Sequence, residues 1–85
     1  MKHFASASFW KSYEALPDNI KRQADACFEL IKTSPSHPSL HFKKIGRFRS
    51  VRISLSFRAL AVEVDKELLW FWIGTHDEYK KILKD

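Results

Sequence analysis

Several common chemistries are closed to this sequence by what it lacks. One cysteine, Cys27, among 85 residues rules out an internal disulfide and gives no sign of an oxidising compartment. Two glycines, Gly46 and Gly74, are too few for a glycine-rich phosphate loop. The four histidines and the cysteine show no ligand spacing such as H-x₃-H or C-x₂-C. His37 and His41 are four apart but straddle Pro38, so they cannot share a helical face; no metal site is expected. No serine sits in a nucleophile-elbow motif. No apolar run approaches the roughly 18–20 residues of a membrane span, and MKHFASASFWK lacks the apolar core of a signal peptide, so a cytoplasmic protein without a membrane partner is expected.

The most informative absence is local. Between Leu30 and Val62 there is no acid at all, against seven basic residues: Lys32, Lys43, Lys44, Arg47, Arg49, Arg52 and Arg58. The whole chain carries +5, so the remainder is slightly acidic and the excess charge belongs to one face. A solvated surface would mix both signs; a single-sign patch concentrates polyanions.

What is present supports a real core. Three Trp, seven Phe and two Tyr supply large buried areas. A chain of this length has room for one domain, residues 1–85, which buries only about 60–65% of its unfolded surface. Met1 to Ala5 reads as an edge strand. Ser6 or Ser8 can cap a first helix bearing Phe9, Tyr13 and Leu16. Pro17 then begins a second helix, to about Thr33, with Ile20, Ala24, Cys27, Phe28 and Ile31 on one stripe. Ser34 to Ser39, with two prolines, is a loop.

From Leu40 the period falls to two. Leu40, Phe42 and Ile45 suggest a strand ending at Gly46. Val51, Ile53 and Leu55 alternate with Ser50, Arg52 and Ser54. Phe57 to Val64 follows a Ser54-Leu55-Ser56 turn, and Asp65-Lys66-Glu67 joins it to the wholly apolar Leu68 to Ile73, expected as the central strand. Thr75 and Glu78 form a capping box for a short terminal helix, whose first turn carries His76, Asp77 and Tyr79. The fold class is therefore α+β: an N-terminal helical hairpin on an antiparallel sheet of three to five strands, closed by a short helix.

Cations, a histidine and a tyrosine suit one metal-independent reaction, cleavage of RNA by its own 2′-hydroxyl. A histidine can move the protons, and arginine matches the oxygens of the phosphorane. The segments L-P-x-x-I-x-x-x-A, HPSLHFKKIG, SVRIS-x-x-FRAL and WFWIGTHDEYKKIL together resemble the RelE/ParE superfamily of toxins from bacterial type II toxin–antitoxin modules. The resemblance spans essentially the whole chain. It implies a RelE-like fold, a cognate antitoxin as partner, and, in the RNA-cleaving YafQ/RelE-like branch, cleavage of mRNA on the ribosome with no cofactor. It also implies site residues. Arg58 matches the phosphate-contacting arginine, His76 the histidine of a G-T-H motif active in acid–base chemistry, and Tyr79 an aromatic that stacks on a base or joins the chemistry. Lys43, Lys44 and Arg52 fall where relatives place cations that hold RNA and stabilise the transition state; Arg47 and Arg49 join them as nucleic-acid-binding candidates from the basic stretch itself. The acid-free stretch departs from relatives that use a glutamate there, so the general base stays open between His41, Lys43 and His76. A ParE-like inhibitor of DNA gyrase and a non-catalytic RNA-binding module are the alternative expectations.

Overall fold

The computed structural model describes residues 2–84. Its elements, in chain order, are β1 (His3–Ala5), α1 (Ala7–Glu14), α2 (Asp18–Thr33), a 3₁₀ turn (Pro38–Leu40), β2 (Lys43–Ile45), β3 (Phe48–Arg52), β4 (Phe57–Val64), β5 (Glu67–Thr75) and α3 (His76–Lys84). The strands form one sheet in the order β1-β5-β4-β3-β2.

Local chemistry sets most boundaries. Ser6 caps α1, its hydroxyl accepting from the Phe9 amide at 3.2 Å. The helix stops at Glu14 rather than reaching Leu16; the latter is buried in the linker just before Pro17. Along α2 the expected stripe is the buried one: Ile20, Ala24, Cys27 and Ile31 pack toward the sheet. His41 adopts a left-handed backbone (φ 44°), which breaks the chain after Leu40 and shortens the expected Leu40–Ile45 strand to Lys43–Ile45. Asp65 and Lys66 both have positive φ (51° and 66°), the geometry of a two-residue hairpin turn matched to strand twist.

Two features of the sheet were not readable from periodicity. β2 to β5 are antiparallel, but the edge strand β1 runs parallel to β5, with Phe4 opposite Leu69, so the sheet is mixed. Met1, included in the expected edge strand, lies outside the described residues. β4 is the middle strand of the five; β5, expected as the central strand or at least covered on both sides, is an interior strand paired with β1 and β4. The register of β5 also shifts: Leu60 pairs with Trp72 and Ala61 with Trp70, leaving Phe71 as the extra residue of a bulge.

The core lies between the α1–α2 hairpin and one sheet face, and includes Phe9, Ile31, Val51, Ala59, Ala61, Leu68, Trp70 and Ile73. Burying a side chain such as Ile31 or Ile73 contributes about 2 kcal/mol. Leu60 and Ser50 are equally buried but point away from that core; α3 covers them on the opposite face. Among the described residues no helix is long and apolar enough to cross a membrane.

Candidate functional site

Register divides the basic stretch in two. Cross-strand partners share a face, and so do residues two apart. Lys43 pairs with Ser50, Ser50 with Leu60, Arg52 with Arg58 and Arg58 with Gly74. Lys43, Arg52 and Arg58 therefore lie on the face that α3 crosses. Lys44 pairs with Arg49 and Arg49 with Ala61, which puts these two cations on the helix-hairpin face. There Arg49 is neutralised by Glu63 at 2.8 Å. Arg47, exposed beside Gly46, lays its guanidinium over the Phe48 ring at 5.1 Å.

Arg58 is the most constrained of these cations. Its Nη1 donates to the carbonyls of Ser54 (2.6 Å), Phe57 (2.9 Å) and Leu55 (3.3 Å), closing the β3–β4 loop around the guanidinium. Burial, and then the charge of Arg52, hold the guanidinium below the usual arginine value. Neither Arg52 nor Arg58 has a carboxylate partner among the described residues. Two unneutralised guanidiniums side by side make a site for an anion.

His76 is delivered to the same corner by two backbone devices. Thr75 and Glu78 cap each other reciprocally, the Glu78 amide donating to Thr75 Oγ1 at 3.3 Å and the Thr75 amide to Glu78 Oε1 at 3.2 Å. The His76 amide donates to the carbonyl of Ser56 at 2.8 Å. The Ser54–Ser56 loop is thus gripped by Arg58 from one side and by His76 from the other. The His76 ring, half-exposed, packs 5.5 Å from that of Tyr79.

Tyr79 occupies a different environment from the other two expected catalytic residues. It is only 6% exposed, and its hydroxyl accepts from Ser50 Oγ at 2.9 Å in the interior between α3 and the sheet. Gly74, opposite Arg58, is needed for close approach: a Cβ there would lie 2.5 Å from the Trp72 indole and 3.0 Å from Glu78 Oε1. His37 is spent locally, its Nδ1 accepting from the Ser39 amide at 3.2 Å, and His41 is exposed at the kink before β2. Among the described residues no group of three His, Cys, Asp or Glu side chains could hold a metal ion.

The Ser54–Ser56 carbonyls, Ser50 and Gly74 escaped the sequence reading. Gly74 alone gave a signal, as a glycine inside an apolar strand.

A small mixed sheet with a helical hairpin on one face, and a short helix over a cationic corner on the other, defines a structural class with known members. No family model and no curated protein matches the sequence. Solved structures match its fold. The RelB–RelE antitoxin–toxin complex of Methanococcus jannaschii superposes with a TM-score of 0.72 at 14% identity, over 93% of this chain and 96% of that one. The Escherichia coli DinJ–YafQ toxin–antitoxin complex gives 0.71 at 15% identity, covering 91% and 93%. A YoeB/ParE toxin from Agrobacterium tumefaciens gives 0.68 at 16%, covering 89% and 99%. The chain has the fold of the RelE/ParE-superfamily toxins.

Proposed function

We propose that this protein is the toxin of a type II toxin–antitoxin module, a cytoplasmic, metal-independent endoribonuclease that cuts mRNA on the ribosome and so inhibits translation. The observation that carries this reading is the Arg52–Arg58 pair, unneutralised and joined to His76 through the Ser54–Ser56 loop. The shared fold supports it.

In the proposed reaction the 2′-oxygen of RNA attacks the adjacent phosphorus and loses its proton to a base. Arg52 and Arg58 stabilise the charge that builds on the phosphorane oxygens. His76 protonates the departing 5′-oxygen, leaving a 2′,3′-cyclic phosphate and a 5′-hydroxyl. Acid–base help is worth about 10²–10⁴-fold and an electrostatic donor a comparable amount, enough for a nuclease with no metal. Lys43, on the same face, holds the RNA backbone; with His76 as the acid, the 2′-hydroxyl proton goes to Lys43 or His41. Tyr79 acts by holding the His76 ring. The antitoxin would be a partner with acidic residues that cover Lys43 to Arg58.

The test is to map mRNA 5′ ends after brief induction, beside His76→Ala and Arg58→Lys controls that keep the fold. New 5′ ends that vanish in the controls support the reading. DNA damage with intact mRNA would favour a gyrase inhibitor, and RNA binding without cleavage or growth arrest a non-catalytic module.

A further inference from the structure

On the helix-hairpin side of the sheet, away from Arg58 and His76, a cavity of about 280 Å³ opens between β1, α1 and α2. Trp70 is among its buried walls, with Phe28, Tyr13 and Trp10 around it. Adjacent rings meet at steep angles (Trp10–Tyr13 80°, Phe28–Trp70 76°), so they form corners rather than a closed stack. Trp10 is 52% exposed at the opening, a large aromatic side chain left half in solvent.

Two charged side chains line this cavity, Asp25 and Lys32. Asp25 contributes a carboxylate that makes no ion pair among the described residues; Oδ1 accepts from the Tyr13 hydroxyl at 2.8 Å. The two basic lining residues each have a partner of their own. Lys32 pairs with Glu29 at 3.4 Å, and His3 accepts from the Trp70 indole N–H at 3.0 Å through Nδ1, which leaves it neutral. The ring cluster already takes one cation from its own chain: Lys21 Nζ lies 5.7 Å from the Tyr13 centroid.

We propose that this cavity is a socket for an arginine side chain of a partner protein, its guanidinium lying on the exposed aromatic faces and donating to Asp25. A planar cation suits both parts, because it stacks on rings and offers a fork of donors to a carboxylate. An apolar side chain would fill the aromatic part but offer no donor to Asp25. The proposal is independent of the reading of the opposite face.

The experiment is a titration of the intact protein with the peptide acetyl-Gly-Arg-Gly-amide, followed by amide and indole NMR shifts. The same peptide with citrulline or lysine in place of arginine, and guanidinium chloride, serve as comparisons. Saturable shifts at Trp10, Tyr13 and Trp70 are expected, with the citrulline peptide, Asp25→Asn and Trp10→Ala each weakening binding by roughly tenfold. Arg52→Gln, on the other face, should leave it unchanged. Equal binding of the arginine and citrulline peptides would show an apolar pocket and overturn the proposal. So would equal binding of the lysine peptide or of guanidinium alone, shifts confined to the His76 face, or no binding.

Discussion

Arg58 stands directly across the β3–β4 ladder from Arg52, and the two guanidiniums share one face with no acid between them. Like charges placed opposite one another in a sheet are destabilising, by a few tenths of a kcal/mol to about 1. Arg52→Gln should therefore raise the melting temperature by roughly 2–4 °C, the effect of about 0.5 kcal/mol in a domain this small, while weakening RNA binding. Arg58→Gln should do the opposite to stability, because the three carbonyls gripped by Nη1 lose their donor. Calorimetry on the two variants checks the sign. A fall in both would mean that the pair carries no repulsion.

The division of the cations by register predicts which of them RNA feels. Each phosphate contact to a single strand adds about −0.7 to the slope of log K against log salt; five would give about −3.5, whereas Lys43, Arg52 and Arg58 alone give about −2. Lys43→Ala and Arg52→Gln should each flatten that slope by about 0.7. Lys44→Ala and Arg49→Ala, on the helix-hairpin face, should leave it nearly unchanged. Fluorescence anisotropy with a short RNA across a salt series measures it, and an equal loss in all four variants would refute the assignment of faces.

Ser50 and Tyr79 hold α3 to the sheet through one buried hydrogen bond of 2.9 Å. Tyr79→Phe removes the acceptor and strands the Ser50 hydroxyl, at a cost of about 1–2 kcal/mol; Ser50→Ala with Tyr79→Phe should lose less than Tyr79→Phe alone. Since the phenol points into the interior, Tyr79→Phe should also keep most of the RNA cleavage at a temperature where it is folded. Urea denaturation reads the first effect and cleavage of a model RNA the second. Abolished cleavage in a folded Tyr79→Phe protein would restore the hydroxyl to the chemistry.

These variants also show where sequence and structure part. The α2 stripe was plain because four buried residues recur at helical spacing, and the Thr75–Glu78 box because its chemistry is local. The acid-free stretch located the cations but not their faces. Side-chain parity depends on where each strand begins, and the left-handed backbone at His41 and the turn at Gly46 set that for β2 and β3. The Phe71 bulge was invisible for a different reason. In an unbroken apolar run either parity places a hydrophobe inside, so the sequence carries no mark of the residue at which the parity changes. The parallel pairing of β1 rests on backbone bonds, such as the Leu68 amide to the Lys2 carbonyl at 2.9 Å, that leave no pattern in side chains.

A pH effect follows from His3. The indole N–H of Trp70 can only donate, so the bond of 3.0 Å to His3 Nδ1 requires that nitrogen to be unprotonated. Burial foremost, and then positive charge nearby that includes Lys32, lower the His3 value from the usual 6.5. In the unfolded chain the imidazole takes up its proton as pH falls through about 6.5; in the folded protein it resists until lower pH. The unfolded state then binds more protons than the folded one, so stability is full above 6.5 and declines as pH falls from there toward the folded value. His3→Gln offers the indole an acceptor that does not titrate. It should be less sensitive to acid than the parent between pH 7.5 and 5.5, measured as urea midpoints with Trp fluorescence. Parallel declines in the two proteins would show that the His3–Trp70 bond is not what acid breaks.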